Sequence, residues 1–205
     1  MNILLTSFAP FGGDRLNASL EVMNALPDRI GDVELTKLCL PVSFRTAPGL
    51  AIDAAERLRP DAIVCLGQAG GRECITPERV AVNLMDAAQQ DNDGFHPVDL
   101  PVVPNAPAAF FSALPVKSMV AAMRQADVPA RLSDTAGTYV CNSLMYAMLH
   151  WTHARGRDIP CGFIHIPYLE EQQRADGTPA LKKETAVRGI AACLGTLDSA
   201  ANRTI

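Results

Sequence analysis

The sequence predicts an α/β domain with helices covering both faces of a sheet. Two observations carry this: apolar strand-like runs alternate along the chain with stretches of helical periodicity, and the most apolar runs exit into glycine-containing turns, as central parallel strands do. A chain of 205 residues that is 48% hydrophobic fits a single domain with a sizeable core.

Asn2 to Ser7 reads as a buried first strand stopped by the turn PFGG. Ser19 to Leu26 reads as a helix ending before Pro27, and Val33 to Leu40 alternates as a second strand. Arg45 to Leu58 carries Leu50, Ala54 and Leu58 at helical spacing, with Pro60 beyond its end. Ala62 to Leu66 is a short apolar strand with a glycine-rich exit, and Val80 to Leu84 reads as another strand. From Gln89 to Pro115 four prolines (97, 101, 104 and 107) break the pattern into a long irregular segment of the functional or mobile kind. Val116 to Ala126 reads as a helix and Ala130 to Leu132 as part of a strand. The helix after Cys141 puts Leu144, Met148 and Trp151 on one stripe; Cys161 to Ile166 is a last apolar strand, and Lys182 to Leu197 a last helix. No repeat or low-complexity tract interrupts this order.

Composition narrows the function. The net charge is −4 and no block of Lys or Arg stands out, which disfavours nucleic acid and anionic membranes as partners. No apolar run is long enough to span a bilayer, and the apolar start MNILLTSF reads as a strand and not a signal peptide. The six cysteines are scattered without a C-x-x-C pair, so reduced thiols in a cytosol are expected, with neither disulfides nor a structural zinc. His150 and His153 share a helix face, but nothing beside them completes a metal set, so no metal or other cofactor is expected.

The candidate chemistry gathers at strand ends. Cys141, in GTYVCNSLMY, follows a glycine turn and opens a helix, where the positive end of the dipole favours a thiolate. A free cysteine is otherwise a small buried hydrophobe. His165 lies just before the proline that ends its strand, at the carboxyl edge where open α/β sheets gather ligands, though a histidine in such a run also serves as a bonded core residue. A Cys–His pair needs a third group to orient the imidazole, and GQAGGRECITPERVAVNL offers Glu73 and Glu78. GQAGG itself matches neither common phosphate-binding glycine pattern, which leaves a backbone phosphate cradle as the weaker reading. Phe8 and Phe11 are either core residues or two rings lining a slot for a small planar group.

FAPFGG, GQAGGR, ITPERVAVN, TAGTYVCN and GFIHIPY occur in this order in the pyroglutamyl peptidases of type I, the pyrrolidone carboxyl peptidases, which the sequence resembles over nearly its whole length. The resemblance is weakest between Gln89 and Asn105. It implies a three-layer α/β/α sandwich around a mixed, mostly parallel sheet and a cytoplasmic homo-oligomer, dimer or tetramer. It also implies a cysteine omega-peptidase that removes an N-terminal pyroglutamyl residue from peptides through a thioester acyl-enzyme. Carried onto this chain, Cys141 resembles the nucleophile, His165 the general base and acid, and Glu78 the third triad member. Phe8 and Phe11 resemble the ring pocket, and Asn17 and Gln68 match positions near the ligand. Two positions depart from the family pattern: Ser7 stands for a glycine, and Ala88 stands for an arginine that helps polarise the scissile carbonyl. The second departure keeps an alternative open, a catalytically weakened member or a pyroglutamyl-binding protein.

Overall fold

The computed structural model describes residues 1–175 and 177–198. The elements run β1 (Asn2–Phe8), α1 (Ala18–Ala25), β2 (Arg29–Ile30), β3 (Val33–Leu40), α2 (Ala47–Leu58) and β4 (Ala62–Gln68). Then come β5 (Thr76–Pro77), β6 (Val80–Val82), β7 (Ala109–Phe111), α3 (Val116–Gln125) and α4 (Val140–Ala154). The chain continues through β8 (Cys161–Ile166), β9 (Tyr168–Leu169), a 3-10 turn at Glu170–Gln172, β10 (Ala180–Leu181) and α5 (Lys183–Gly195).

Six strands form the central sheet in the order β2-β3-β1-β4-β8-β5. The inner four are mutually parallel, and the two-residue strands β2 and β5 close the edges antiparallel. Side chains alternate between faces along each strand, so β1, β4 and β8 divide their apolar residues between two cores. Ile3, Leu5, Val64, Leu66, Ile164 and Ile166 face α1, α3 and α5. Leu4, Phe8, Ile63, Cys65, Cys161 and Phe163 face α2 and α4. The result is the expected three-layer sandwich.

Local sequence explains where the helices start and stop. Asn17 caps α1, its side-chain oxygen accepting from the Ser19 N–H at 3.0 Å. Pro48 sits in the first turn of α2, and Arg59 ends that helix in a left-handed conformation (φ 48°) just before Pro60. Nearly all of α4 is buried, which matches its apolar run from Leu144 to Trp151.

Three expectations are corrected. Residues 80–84 form only the three-residue β6, which pairs with β7 in a separate ribbon. Ala130 to Leu132 is not a strand: it meets the chain at single bridges, Ile75 with Ala130 and Glu78 with Ser133. The segment from 89 to 115 is not wholly irregular, since β7 lies within it. Each correction involves a strand too short to show a period.

Candidate active site

Because α4 leads through a short loop into β8, it runs antiparallel to that strand and brings its first turn to the strand's carboxyl end. Cys141 is the second residue of α4, and Tyr139 at the cap offers no side-chain bond, so the first-turn N–H groups are not capped by a side chain. His165 is the penultimate residue of β8 and lies on the same face as Phe163, toward α4, with the two rings 4.8 Å apart. Its register partner on β4 is Gly67. A Cβ on Gly67 would lie 3.0 Å from the Cys141 Sγ and 2.6 Å from the Phe163 ring. The thiol therefore rests on a glycine surface one strand from the imidazole, and adjacent strands lie only about 4.8 Å apart.

Glu78 is fully buried just after β5, and its Oε1 sits 2.7 Å from His165 Nδ1. Glu73, the other carboxylate the sequence offers, is exposed. The same Oε1 accepts from Arg72 Nη1 at 2.5 Å. Arg72 also bonds the Thr76 hydroxyl and donates from Nη2 to the Thr135 carbonyl at 3.0 Å, on the loop that leads to Cys141. GQAGGR is thus a tight turn that swings Arg72 back onto Glu78. Gly70 in it is required because a Cβ there would lie 2.3 Å from Tyr168.

The electrostatics follow from burial and these contacts. Burial pushes the Glu78 carboxyl up, but the His165 hydrogen bond and charge, the nearby Ser133 hydroxyl and the Arg72 guanidinium outweigh it and hold the carboxyl below its usual range. Burial also holds His165 below the usual histidine value, against the pull of Glu78 in the other direction. The Cys141 thiol is pushed up to about 12, by burial first and by the Glu78 charge second; Arg72 and the thiol's own backbone N–H only partly offset this. Burial thus opposes the thiolate that the helix start favours.

Beside the thiol lies a pocket lined by Phe8, Phe11, Asn17, Val42, Gln68, Tyr139, Val140 and Cys141, with about 290 Å³ of empty volume including its mouth. All four residues expected near a ligand (Phe8, Phe11, Asn17 and Gln68) line it. Phe8 meets both readings of it, being 2% exposed and stacked toward Phe163 while forming a wall of the slot. The ring facing Phe11 across the mouth is Tyr139, with centroids 6.2 Å apart. Tyr139, Val42 and Arg72's hold on Glu78 were not singled out by sequence reasoning. Tyr139 stands two residues before the cysteine, but Val42 carries no local signal.

The start of the long segment 89–115 helps build this slot. Buried Asp91 accepts backbone bonds from Phe44, Asp93 and Phe95. Asn92 donates to Val42 and Pro10 carbonyls, and the Tyr139 hydroxyl donates to the Gln90 carbonyl at 2.9 Å. Ala88 is exposed on this loop. Of the two arginines near it in sequence, Arg72 pairs with Glu78 and Arg79 with Asp134. Ser7 is fully buried, and its hydroxyl has no partner. All six cysteines are free. His150 and His153 stack around Phe110, and among the described residues no group of three or more metal-ligating side chains gathers.

Comparison with known proteins gives a consistent result. The pyroglutamyl peptidase family model matches residues 1–199. A pyrrolidone-carboxylate peptidase of Thermococcus onnurineus is 44% identical over 196 residues, covering 96% of this chain and 98% of its own. One of Levilactobacillus brevis is 45% identical over 196 residues, covering 95% and 96%. The crystal structure of Bacillus amyloliquefaciens pyroglutamyl peptidase I superposes with a TM-score of 0.92 at 36% identity, covering 96% of each chain. A mutant pyrrolidone carboxyl peptidase from Pyrococcus furiosus gives 0.91 at 34% identity, covering 96% of this chain and 98% of its own.

Proposed function

Since the chain belongs to the pyroglutamyl peptidase family of cysteine peptidases, we propose that it hydrolyses the bond after an N-terminal pyroglutamyl residue through Cys141, His165 and Glu78. The observation that carries this reading is the 2.7 Å contact between Glu78 and His165 Nδ1, beside a slot that the Cys141 side of α4 closes.

The proposed chemistry starts from a neutral thiol and a neutral imidazole. The lactam ring enters the slot, and the Cys141 sulfur attacks the scissile carbonyl carbon as His165 takes the thiol proton. Glu78 keeps a proton on Nδ1, so that Nε2 is the base, and it stabilises the imidazolium that forms. The uncapped N–H groups at the start of α4 favour the oxyanion. Collapse breaks the C–N bond, His165 gives its proton to the departing amine, and a thioester remains. Water, deprotonated by the same imidazole, attacks the thioester; pyroglutamate leaves and the thiol is regenerated.

Release of a fluorophore from a pyroglutamyl amide tests the proposal. Turnover should fall by about 10³ or more in Cys141→Ser, stop with iodoacetamide and persist with chelators. Chelator inhibition reversed by zinc refutes it. A second reading, ring binding without useful turnover, is favoured by Ala88, which stands where the family pattern has an arginine. It predicts that a pyroglutamyl amide protects Cys141 from alkylation without being cleaved. A cytoplasmic homo-oligomer, dimer or tetramer, belongs to the same proposal. Among the described residues no helix is long and apolar enough to cross a membrane, and Phe111, 76% exposed, and Val98, 61% exposed, are apolar surface that a subunit contact would cover. Sedimentation of the purified chain tests that part.

A further inference from the structure

Which polarity the slot offers a ligand depends on how its two carboxamides are turned. A carboxamide oxygen can only accept and its nitrogen only donate, so a backbone N–H facing one end decides the orientation. The Leu169 N–H points at the side chain of Gln172 and is 2.9 Å from its oxygen. That forces Gln172 Nε2 outward, where it donates to Gln68 at 2.9 Å and to the Leu16 carbonyl at 3.3 Å. Gln68 meets this donor with its oxygen, which also accepts the Ala18 N–H at 2.8 Å. Both donors press on one atom, so the Gln68 NH2 group turns away from them. Among the described residues no protein group accepts from it, and Gln68 lines the slot.

Asn17 repeats the arrangement. Its oxygen accepts from the Ser19 N–H at 3.0 Å and the Ser19 hydroxyl at 2.8 Å, while its nitrogen donates to the Ala9 carbonyl at 3.1 Å and keeps a second N–H. Both slot carboxamides therefore have their oxygens engaged within the protein and their N–H groups left over.

We infer that Gln172, outside the slot and 104 residues from Gln68 in sequence, is a specificity-determining positioning residue. It locks the Gln68 amide with its N–H groups toward the ligand, so that the slot selects rings bearing a carbonyl oxygen. The inference rests on the lactam reading above and deepens it: a pyroglutamyl ring carries such an oxygen, and a prolyl ring does not.

Gln172→Glu is the informative change. The carboxylate still accepts from Leu169, but it repels the Gln68 oxygen and attracts the Gln68 NH2. The amide is then driven to turn over and face the slot with an acceptor. Gln172→Met removes the donor without reversing the field. The readout is the concentration of 2-pyrrolidone, or of cyclopentane, an uncharged ring of the same size without a carbonyl, that half-protects Cys141 from iodoacetamide, measured beside steady-state kinetics on a pyroglutamyl amide.

For Gln172→Glu, the half-protecting concentration of 2-pyrrolidone and the KM should both rise roughly 10- to 100-fold, the scale of one buried polar mismatch. Cyclopentane protection should hold, and kcat should change far less than KM. Gln172→Met should fall between wild type and Gln172→Glu. A merely structural role would weaken both rings alike. Equal losses for the two competitors, or a 2-pyrrolidone ratio within about twofold of wild type, overturn the inference while wild-type cleavage leaves the activity reading intact. A wild-type protein that neither cleaves the amide nor is protected by 2-pyrrolidone overturns the activity reading itself, and this inference with it.

Discussion

Replacing Arg72 by methionine keeps the aliphatic stem and removes the guanidinium that holds Glu78. In the intact protein that guanidinium lies 2.5 Å from Glu78 Oε1 and 3.0 Å from the Thr135 carbonyl, and its side chain is only 21% exposed. Breaking a buried pair from one side costs about 3–5 kcal/mol. Here the lower end applies, because His165 still bonds the same oxygen. About 3 kcal/mol in a chain of this length lowers Tm by roughly 6–12 °C. The larger lesson is in the pH profile. Burial holds His165 low and Glu78 raises it, while Arg72 adds a downward push. The charged and titratable groups around this imidazole are Arg72 before and Glu78 after β5, and Cys141 on α4. Arg72 is the fixed positive charge among them. Removing it raises the His165 value, so the base becomes protonated at a higher pH, and the acid limb of kcat/KM must move to higher pH. Glu78 moves in the same direction. Its depressed carboxyl adds stability above an unfolded value of 4.5 that is lost as pH falls through the folded value, and part of that increment should disappear. Arg72→Lys retains the charge and should restore most of the profile. The assays are kcat/KM against pH on a pyroglutamyl amide and calorimetry. An acid limb that stays fixed or moves to lower pH in Arg72→Met refutes the electrostatic argument, whatever the Tm.

Gly67→Ala places a methyl 2.6 Å from the buried Phe163 ring and 3.0 Å from the Cys141 sulfur. Overpacking of this kind costs about 1–3 kcal/mol, and displacing the nucleophile should lower kcat by up to roughly 10² while KM moves little; unchanged kcat shows that the sulfur does not sit over this glycine. Burial raises the Cys65 thiol, fully buried, to about 12, as it does Cys141, from 9.0. A raised folded value contributes stability that is complete below pH 9 and is lost as pH climbs toward 12, so the reduced protein should lose Tm steeply above pH 9, with a shallower slope in Cys65→Ala; equal slopes discount the buried thiols. Ala88→Arg returns a cation to the loop that Tyr139 ties to the slot through Gln90. It should raise kcat/KM by about tenfold, or 1.4 kcal/mol, and a neutral or harmful result means that the loop does not present residue 88 to the reacting carbonyl.

Strands with a clear period were legible in the chain. Val33–Leu40 and Cys161–Ile166 stand where alternation and apolarity put them, and β1, α2 and α4 agree to within a turn at their ends. Periodicity is a local property, and eight or fifteen residues suffice to express it. The residues singled out from the motifs and the resemblance come together in space: Cys141, Phe8, Phe11, Asn17 and Gln68 line one pocket, and His165 and Glu78 meet beside it. The two-residue strand β5 was not legible. It contains Pro77, and it is a strand only because it pairs with β8.

The tertiary structure shows the contact between Glu78 and His165, 87 residues apart, a choice between Glu73 and Glu78 that the residues alone left open. It alone showed Arg72 bound to Glu78 and Gln172 braced against Gln68. A helix start in the sequence promises a favourable dipole, but how much water the fold removes from a thiol is a property of every element packed around it, and burial is the first cause that pushes the Cys141 thiol up.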